Sequence, residues 1–113
     1  MKVTTAHKLK NRCIFHTVGP KYYSDPNPKE TLAKCYQNCL EMADGLQFES
    51  IAFPSISTGA YGYPMEEAAE ICAKIICNFK PEYLKHAYMC VITDEAEAIY
   101  NEAIDNEVQK VVA

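Results

Sequence analysis

No apolar run in the 113-residue sequence reaches the roughly 18 residues that a membrane-spanning helix needs. The opening stretch, Met1-Lys2-Val3-Thr4-Thr5, lacks the hydrophobic centre of a secretory signal. Positive charge is also in short supply. Lys and Arg number 11 against 15 Asp and Glu, for a net charge of −4, so bulk electrostatics offer no footprint for a nucleic-acid backbone. Lys8, Lys10 and Arg12 form a local basic group and read as a solvated end. Two common nucleotide-binding signatures are missing. There is no GxxxxGK followed by Ser or Thr, which excludes the usual NTPase phosphate loop, and no GxGxxG, which argues against a dinucleotide fold of the Rossmann kind. There is no CxxC pair either. Cys35 and Cys39 share a helix face, but no His or acidic residue is spaced to complete a zinc site, so no metal and no cofactor is expected.

The six cysteines that are present, Cys13, Cys35, Cys39, Cys72, Cys77 and Cys90, fall mostly at apolar positions of predicted elements. With no secretory signal, they read as reduced core thiols of a cytoplasmic protein rather than as a disulfide framework. At 113 residues the chain suits one small domain, and a 49% hydrophobic composition can supply its core.

The pattern along the chain is an alternation of strands and helices. A short strand is expected at Lys2–Thr5, and Cys13-Ile14-Phe15-His16-Thr17-Val18 is the first clear one, stopped by Gly19-Pro20. His16 within that run reads as a core residue. Asn27-Pro28-Lys29-Glu30 predicts a helix start with Asn27 as cap, Pro28 in the first turn and Glu30 closing a capping box. Leu32, Cys35, Tyr36, Cys39, Leu40 and Ala43 then follow at the spacing of one helix face, with Gly45 as the expected C-terminal cap. A second strand runs from about Ser50 to Phe53, and Pro54 ends its ladder. A helix from Met65 to about Phe79 buries Ala68, Cys72, Ile75, Ile76 and Phe79, and Pro81 stops it. Ala87 to Ile92 is the third strand. Asp94, with Glu97 three residues on, predicts the cap of a last helix lined by Ala96, Tyr100, Ala103, Ile104, Val108 and Val111. Met42, Met65 and Met89 read as core filler. Repeated βα units predict an α/β fold with a mainly parallel sheet, βαβαβα.

Ligands of such sheets bind beyond the carboxyl ends of the strands, where the loops 19–27, 54–64 and 93–94 would lie. The richest is Phe53-Pro54-Ser55-Ile56-Ser57-Thr58-Gly59-Ala60-Tyr61-Gly62-Tyr63-Pro64, set between a strand and a helix start. Glycines let the backbone approach an anion closely. Successive N–H groups can converge on phosphate oxygens, and the following helix adds its positive dipole end. Ser57 and Thr58 add hydroxyl donors, and Tyr61 offers a ring to a sugar or base. The same spacing also suits a turn that binds nothing. Tyr22 and Tyr23 lie on a neighbouring loop and are placed to flank a base. Glu66 and Glu67 read as residues that favour the helix start.

Two of these stretches, His16-Thr17-Val18-Gly19-Pro20 and Ile51 to Pro64, in this order and one helix apart, resemble the macro domain, a module that binds ADP-ribose and its relatives. The pattern Leu32…Cys35-Tyr36 fits as well. The resemblance implies that Ser57, Thr58, Gly59, Ala60, Tyr61 and Gly62 wrap the ligand's diphosphate, with Tyr61 beside the distal ribose and Ile56 packing beneath. A whole macro domain is longer, about 150–200 residues, and the chain resembles its C-terminal part. It would thus be a partial macro domain over residues 1–113, a truncated half of a three-layer fold. The first phosphate loop, the strand whose acidic residue holds adenine, and the asparagine and aspartate tied to hydrolysis in catalytic members have no counterpart by motif, so the catalytic residues are unknown. Thr93 stands where members often carry an aromatic or asparagine near adenine. A half-sheet leaves an edge uncovered. That predicts a homo-oligomer or a complementing chain, unless residues 1–12 fold back over the edge.

Overall fold

A computed structural model describes residues 2–5, 13–16, 19–54, 62–91 and 93–112. The elements are β1 (Lys2–Thr5), β2 (Cys13–His16), α1 (Pro28–Gly45), β3 (Ser50–Pro54), α2 (Met65–Asn78), β4 (His86–Cys90) and α3 (Asp94–Val112). All three predicted helices form, and the core is built from the stripes their periodicity marked. Leu32, Tyr36, Cys39, Leu40 and Ala43 of α1 meet Ala68, Ala69, Ile71 and Cys72 of α2, with Phe53 of β3 and Tyr100 of α3 closing the cluster. Burying a leucine such as Leu32 contributes about 1.5–3 kcal/mol. Two apolar positions depart from expectation: Met42, read as core filler, is 37% exposed, and Val108, of the last helix's stripe, is 43% exposed.

The strands form two pairs. β3 and β4 are parallel, in register from Ser50 opposite His86 to Pro54 opposite Cys90, with α2 as the crossover. β1 and β2 are antiparallel, from Lys2 opposite His16 to Thr5 opposite Cys13. The amino-terminal strand therefore folds back along β2, and among the described residues β2 takes its ladder from β1 rather than from the parallel pair. The parallel pair is covered on one face only. Phe53 is buried and Ile51 and Met89 pack against the core, whereas Ser50, Ala52, Pro54, His86, Tyr88 and Cys90 are exposed.

The helix ends differ from the sequence expectation in a consistent way. Asn27 flanks α1 but its side chain makes no capping bond. The carboxylate of Asp25 instead accepts from the Asn27 N–H at 2.8 Å and from the Thr31 hydroxyl at 3.3 Å, and Glu30 pairs with exposed Lys34 at 3.4 Å. At the other end Gly45 is still helical, and Gln47 takes the left-handed conformation, with φ of 62°. At α3 the cap is Thr93, whose hydroxyl oxygen accepts from the Ala96 N–H at 3.1 Å, rather than Asp94. β4 starts one residue earlier than expected, at His86, and ends at Cys90.

Asp44, in the last turn of α1, has a role that periodicity did not show. One carboxylate oxygen accepts from the N–H groups of Tyr83 and Leu84 at 2.7 and 2.9 Å, and both oxygens receive the Glu82 N–H at 3.1 Å. These bonds fasten the segment leading into β4 to the end of α1. They hold the carboxyl below its usual range, with the Leu84 N–H the strongest influence. An acid in the last helical turn opposes the helix dipole, which is the one sequence hint that it serves another partner.

Candidate functional site

The carboxyl end of β3 leads into the glycine-bearing loop, and the chain is described again from Gly62. Ser57, Thr58, Gly59, Ala60 and Tyr61 lie outside the described residues. Gly62 has φ of +75°, a conformation that costs an L side chain roughly 1–2 kcal/mol, so glycine is the residue suited to this turn. Tyr63 is buried and Pro64 precedes α2.

The loop after β2 comes to the same place. The Lys21 carbonyl accepts from the N–H groups of Ser24 at 3.3 Å and Asp25 at 3.0 Å, closing a tight turn that presents Tyr22 and Tyr23. Tyr22 packs edge-on against Tyr63, with ring centroids 4.9 Å apart, and against Tyr23 at 5.0 Å. The Tyr23 ring lies over Gly62, with its Cε2 atom 3.4 Å from where a β-carbon would stand. Two of the three loops assigned to the ligand end thus converge. The third begins with Thr93, which is occupied as the α3 cap.

Glu67, in the first turn of α2, completes this group. Its carboxylate charge, and a hydrogen bond from the Tyr22 hydroxyl, push the Tyr22 phenol above its ordinary value. Burial, with Glu67 behind it, pushes Tyr63 up as well. Both shifts favour the neutral phenol over an anion that would repel phosphate, and Tyr22 donates to Glu67. The sequence placed Glu67 only at a helix start. Its link to Tyr22 spans 45 residues, and no local pattern encodes it.

Cys35, Cys39 and Cys72 are buried in the core, whereas Cys77 is partly buried and Cys90 is exposed. Burial pushes Cys72 up to about 12, and its Sγ–H donates to Met89 Sδ at 3.4 Å. Cys35, Cys39, Cys72, Cys77 and Cys90 form no disulfide with one another. Among the described residues no cluster of three His, Cys, Asp or Glu side chains is placed to hold a metal. An open groove of about 510 Å³ lies on the helical layer between the start of α1 and α2, floored by Ala33, Ile71 and Ile75 and rimmed by Lys29, Glu30 and Lys74. Pro26 and Asn27, at the end of the 19–27 loop, also line it, but Tyr22, Tyr23, Gly62 and Tyr63 do not.

An α/β chain with a positive-φ glycine and an aromatic cluster at the strand ends is the class of protein that the fold and site define. The family model of the macro domain matches residues 1–72, and the chain belongs to the macro-domain family. It is 43% identical over 104 residues to an uncharacterised protein of Sulfolobus acidocaldarius, covering 92% of this chain and 56% of that one. It is 42% identical over 101 residues to the O-acetyl-ADP-ribose deacetylase of Klebsiella pneumoniae, covering 87% of this chain and 58% of the enzyme. Among solved structures, the Oceanobacillus iheyensis macrodomain with ADP overlays with a TM-score of 0.89 at 37% identity, covering 96% of this chain and 58% of that chain. A mutant of the same macrodomain with ADPR overlays with a TM-score of 0.88 at 36% identity, covering 96% of this chain and 59% of that chain. The chain spans a little over half the length of the relatives it matches.

Among the described residues no helix is long and apolar enough to cross a membrane.

Proposed function

We propose that the chain binds ADP-ribose, or a related ligand carrying its diphosphate, at the carboxyl end of β3. The observation that carries this reading is the left-handed Gly62 directly after the small-residue run, with a second loop converging on it. Family membership and the ligands named for the Oceanobacillus structures support it. In this reading the backbone N–H groups from Ser57 to Gly62 hold the diphosphate, Ser57 and Thr58 add hydroxyl donors, and the amino terminus of α2 adds its dipole.

Hydrolysis is a separate matter. The Klebsiella relative is named a deacetylase, but such chemistry needs a base and a positioned water at the sugar, and no residue of this chain carries that role by motif. We assign hydrolysis of O-acetyl-ADP-ribose or ADP-ribosylated protein only to an assembly in which another segment completes the site, and self-association or a complementing chain to residues 1–113 as a partial macro domain. Thiols that form no disulfide, with Cys35, Cys39 and Cys72 buried, fit a reducing, cytoplasmic setting, and a free-thiol count on protein purified without reductant is the check.

Calorimetric titration with ADP-ribose tests the binding. The wild-type chain is expected to release heat on binding, and Gly59→Glu, which brings bulk and negative charge into the cradle, is expected to abolish it. Equal heats from both proteins would overturn the assignment.

A further inference from the structure

Tyr23 is 88% exposed, yet its position is constrained from three directions. The turn closed on the Lys21 carbonyl sets its backbone. The edge of Tyr22 sets its ring, and Tyr22 is itself held by the ring of buried Tyr63 and by Glu67 of α2. Asp25, two residues on, is bonded into the start of α1. Tyrosine has two side-chain torsions, so little entropy remains to be lost when such a ring takes a ligand. A large aromatic ring held this firmly while almost wholly in water buries little of its own surface. Its arrangement contributes less to the fold than to what it faces, which is the Cα of Gly62 at the end of the proposed diphosphate loop. Tyr22, by contrast, is partly buried and engaged on both sides. The two adjacent tyrosines therefore divide their work, one as support and one as contact surface.

We propose that Tyr23 is a ligand-contacting wall of this site. Its ring packs against the ring-bearing group, sugar or base, attached to the diphosphate, and so favours nucleoside diphosphate ligands over bare pyrophosphate. The proposal rests on the binding function proposed above. Rings stacked on an exposed aromatic contribute measurably and without hydrogen-bond matching, so the effect is one of affinity for the flanking group and not of phosphate capture.

The sequence contains no tryptophan, and Tyr23→Trp therefore supplies a single fluorophore at this spot. Titrations of wild type, Tyr23→Ala and Tyr23→Trp with ADP-ribose, ADP and inorganic pyrophosphate form the test. Tyr23→Ala is expected to weaken ADP-ribose about tenfold, within the range for losing one stacked ring, and to leave pyrophosphate affinity unchanged. Tyr23→Trp is expected to keep ADP-ribose binding and to change emission with it but not with pyrophosphate. Equal weakening of ADP and ADP-ribose would assign the contact to the adenosine end, and weakening of ADP-ribose alone to the terminal ribose. Both support the proposal. Unchanged ADP-ribose affinity in Tyr23→Ala with a silent tryptophan would overturn it while leaving the binding function standing. A wild-type chain that binds none of the three probes would overturn both.

Discussion

At the scale of single residues, the site and the fold depend on side chains that reach across the chain to unbonded backbone or to one another. Asp44 is the clearest case, because its two oxygens satisfy three successive N–H groups at the start of the β4 segment. Those bonds favour the charged carboxylate, so its pKa is lower in the folded protein than in the unfolded chain. The contribution to stability is therefore fully present above the unfolded value, near 3.8, and is lost as pH falls through the lower folded value. Asp44→Asn removes the charge while leaving one oxygen acceptor. The variant is expected to melt at a lower temperature than wild type at pH 7, with the gap narrowing as pH is taken below about 4. Thermal melts followed by circular dichroism between pH 3 and pH 7 check this, and a constant gap across that range would count against a charged clamp. Tyr22 and Glu67 show the same limit on reading a sequence. Both residues sit where local pattern suggests a loop and a helix start, and only the folded chain reveals that they bond.

At the scale of elements, the helices and the residues at which α1 and α2 start were legible, and the capping bonds were not. The stripe from Leu32 to Ala43 repeats at the spacing of one helix face, and that face is buried, because the helix period leaves few other ways to gather those side chains. A cap, in contrast, depends on the direction from which the loop arrives. Asn27 and Asp94 are good capping residues by type, but the chain enters α1 through a turn that brings the Asp25 carboxylate onto the Asn27 N–H and the Thr31 hydroxyl, and it leaves β4 so that Thr93 stands at the start of α3. Strand positions were legible from apolar runs, and a fold-back of residues 1–12 over an edge stood as one alternative; that the edge would be that of β2 was not legible, since four residues of backbone carry no address for their neighbour. The Thr93 cap yields a direct comparison. Thr93→Ala is expected to cost about 1 kcal/mol, the usual loss for a capping hydroxyl, whereas Asp94→Ala, which removes only one of three acids in the first turn, should cost less. Urea unfolding of the two variants decides it, and the reverse ranking would return the cap to Asp94.

At the scale of the whole molecule, the parallel pair is the feature that most needs a partner. Parallel strands occur almost only with both faces covered, and two-stranded units are marginal in water when left to themselves. Here α1 and α2 cover one face, while Ala52, Tyr88 and Cys90 stand exposed on the other, with His86 stacked on Tyr88 at 6.0 Å. The pair β1–β2 shares no ladder with β3–β4 among the described residues, so the fold-back of β1 covers an edge of β2 and leaves this face as it is. The relatives place over two-fifths of their length outside the match to this chain. The surface we expect to cover the exposed sheet face is the same face of a second copy. A two-fold pairing would bring Tyr88 against its counterpart region and seal both sheets at once. Light scattering after gel filtration at about 10 µM, a concentration where moderately stable dimers persist, is expected to return a multiple of the 12.7 kDa monomer mass. Tyr88→Asp, which places a charge on the bare face and leaves the core untouched, is expected to shift that mass towards the monomer. A wild-type chain that stays folded and monomeric at this concentration would show that the exposed face is stable in water and that no second copy covers it.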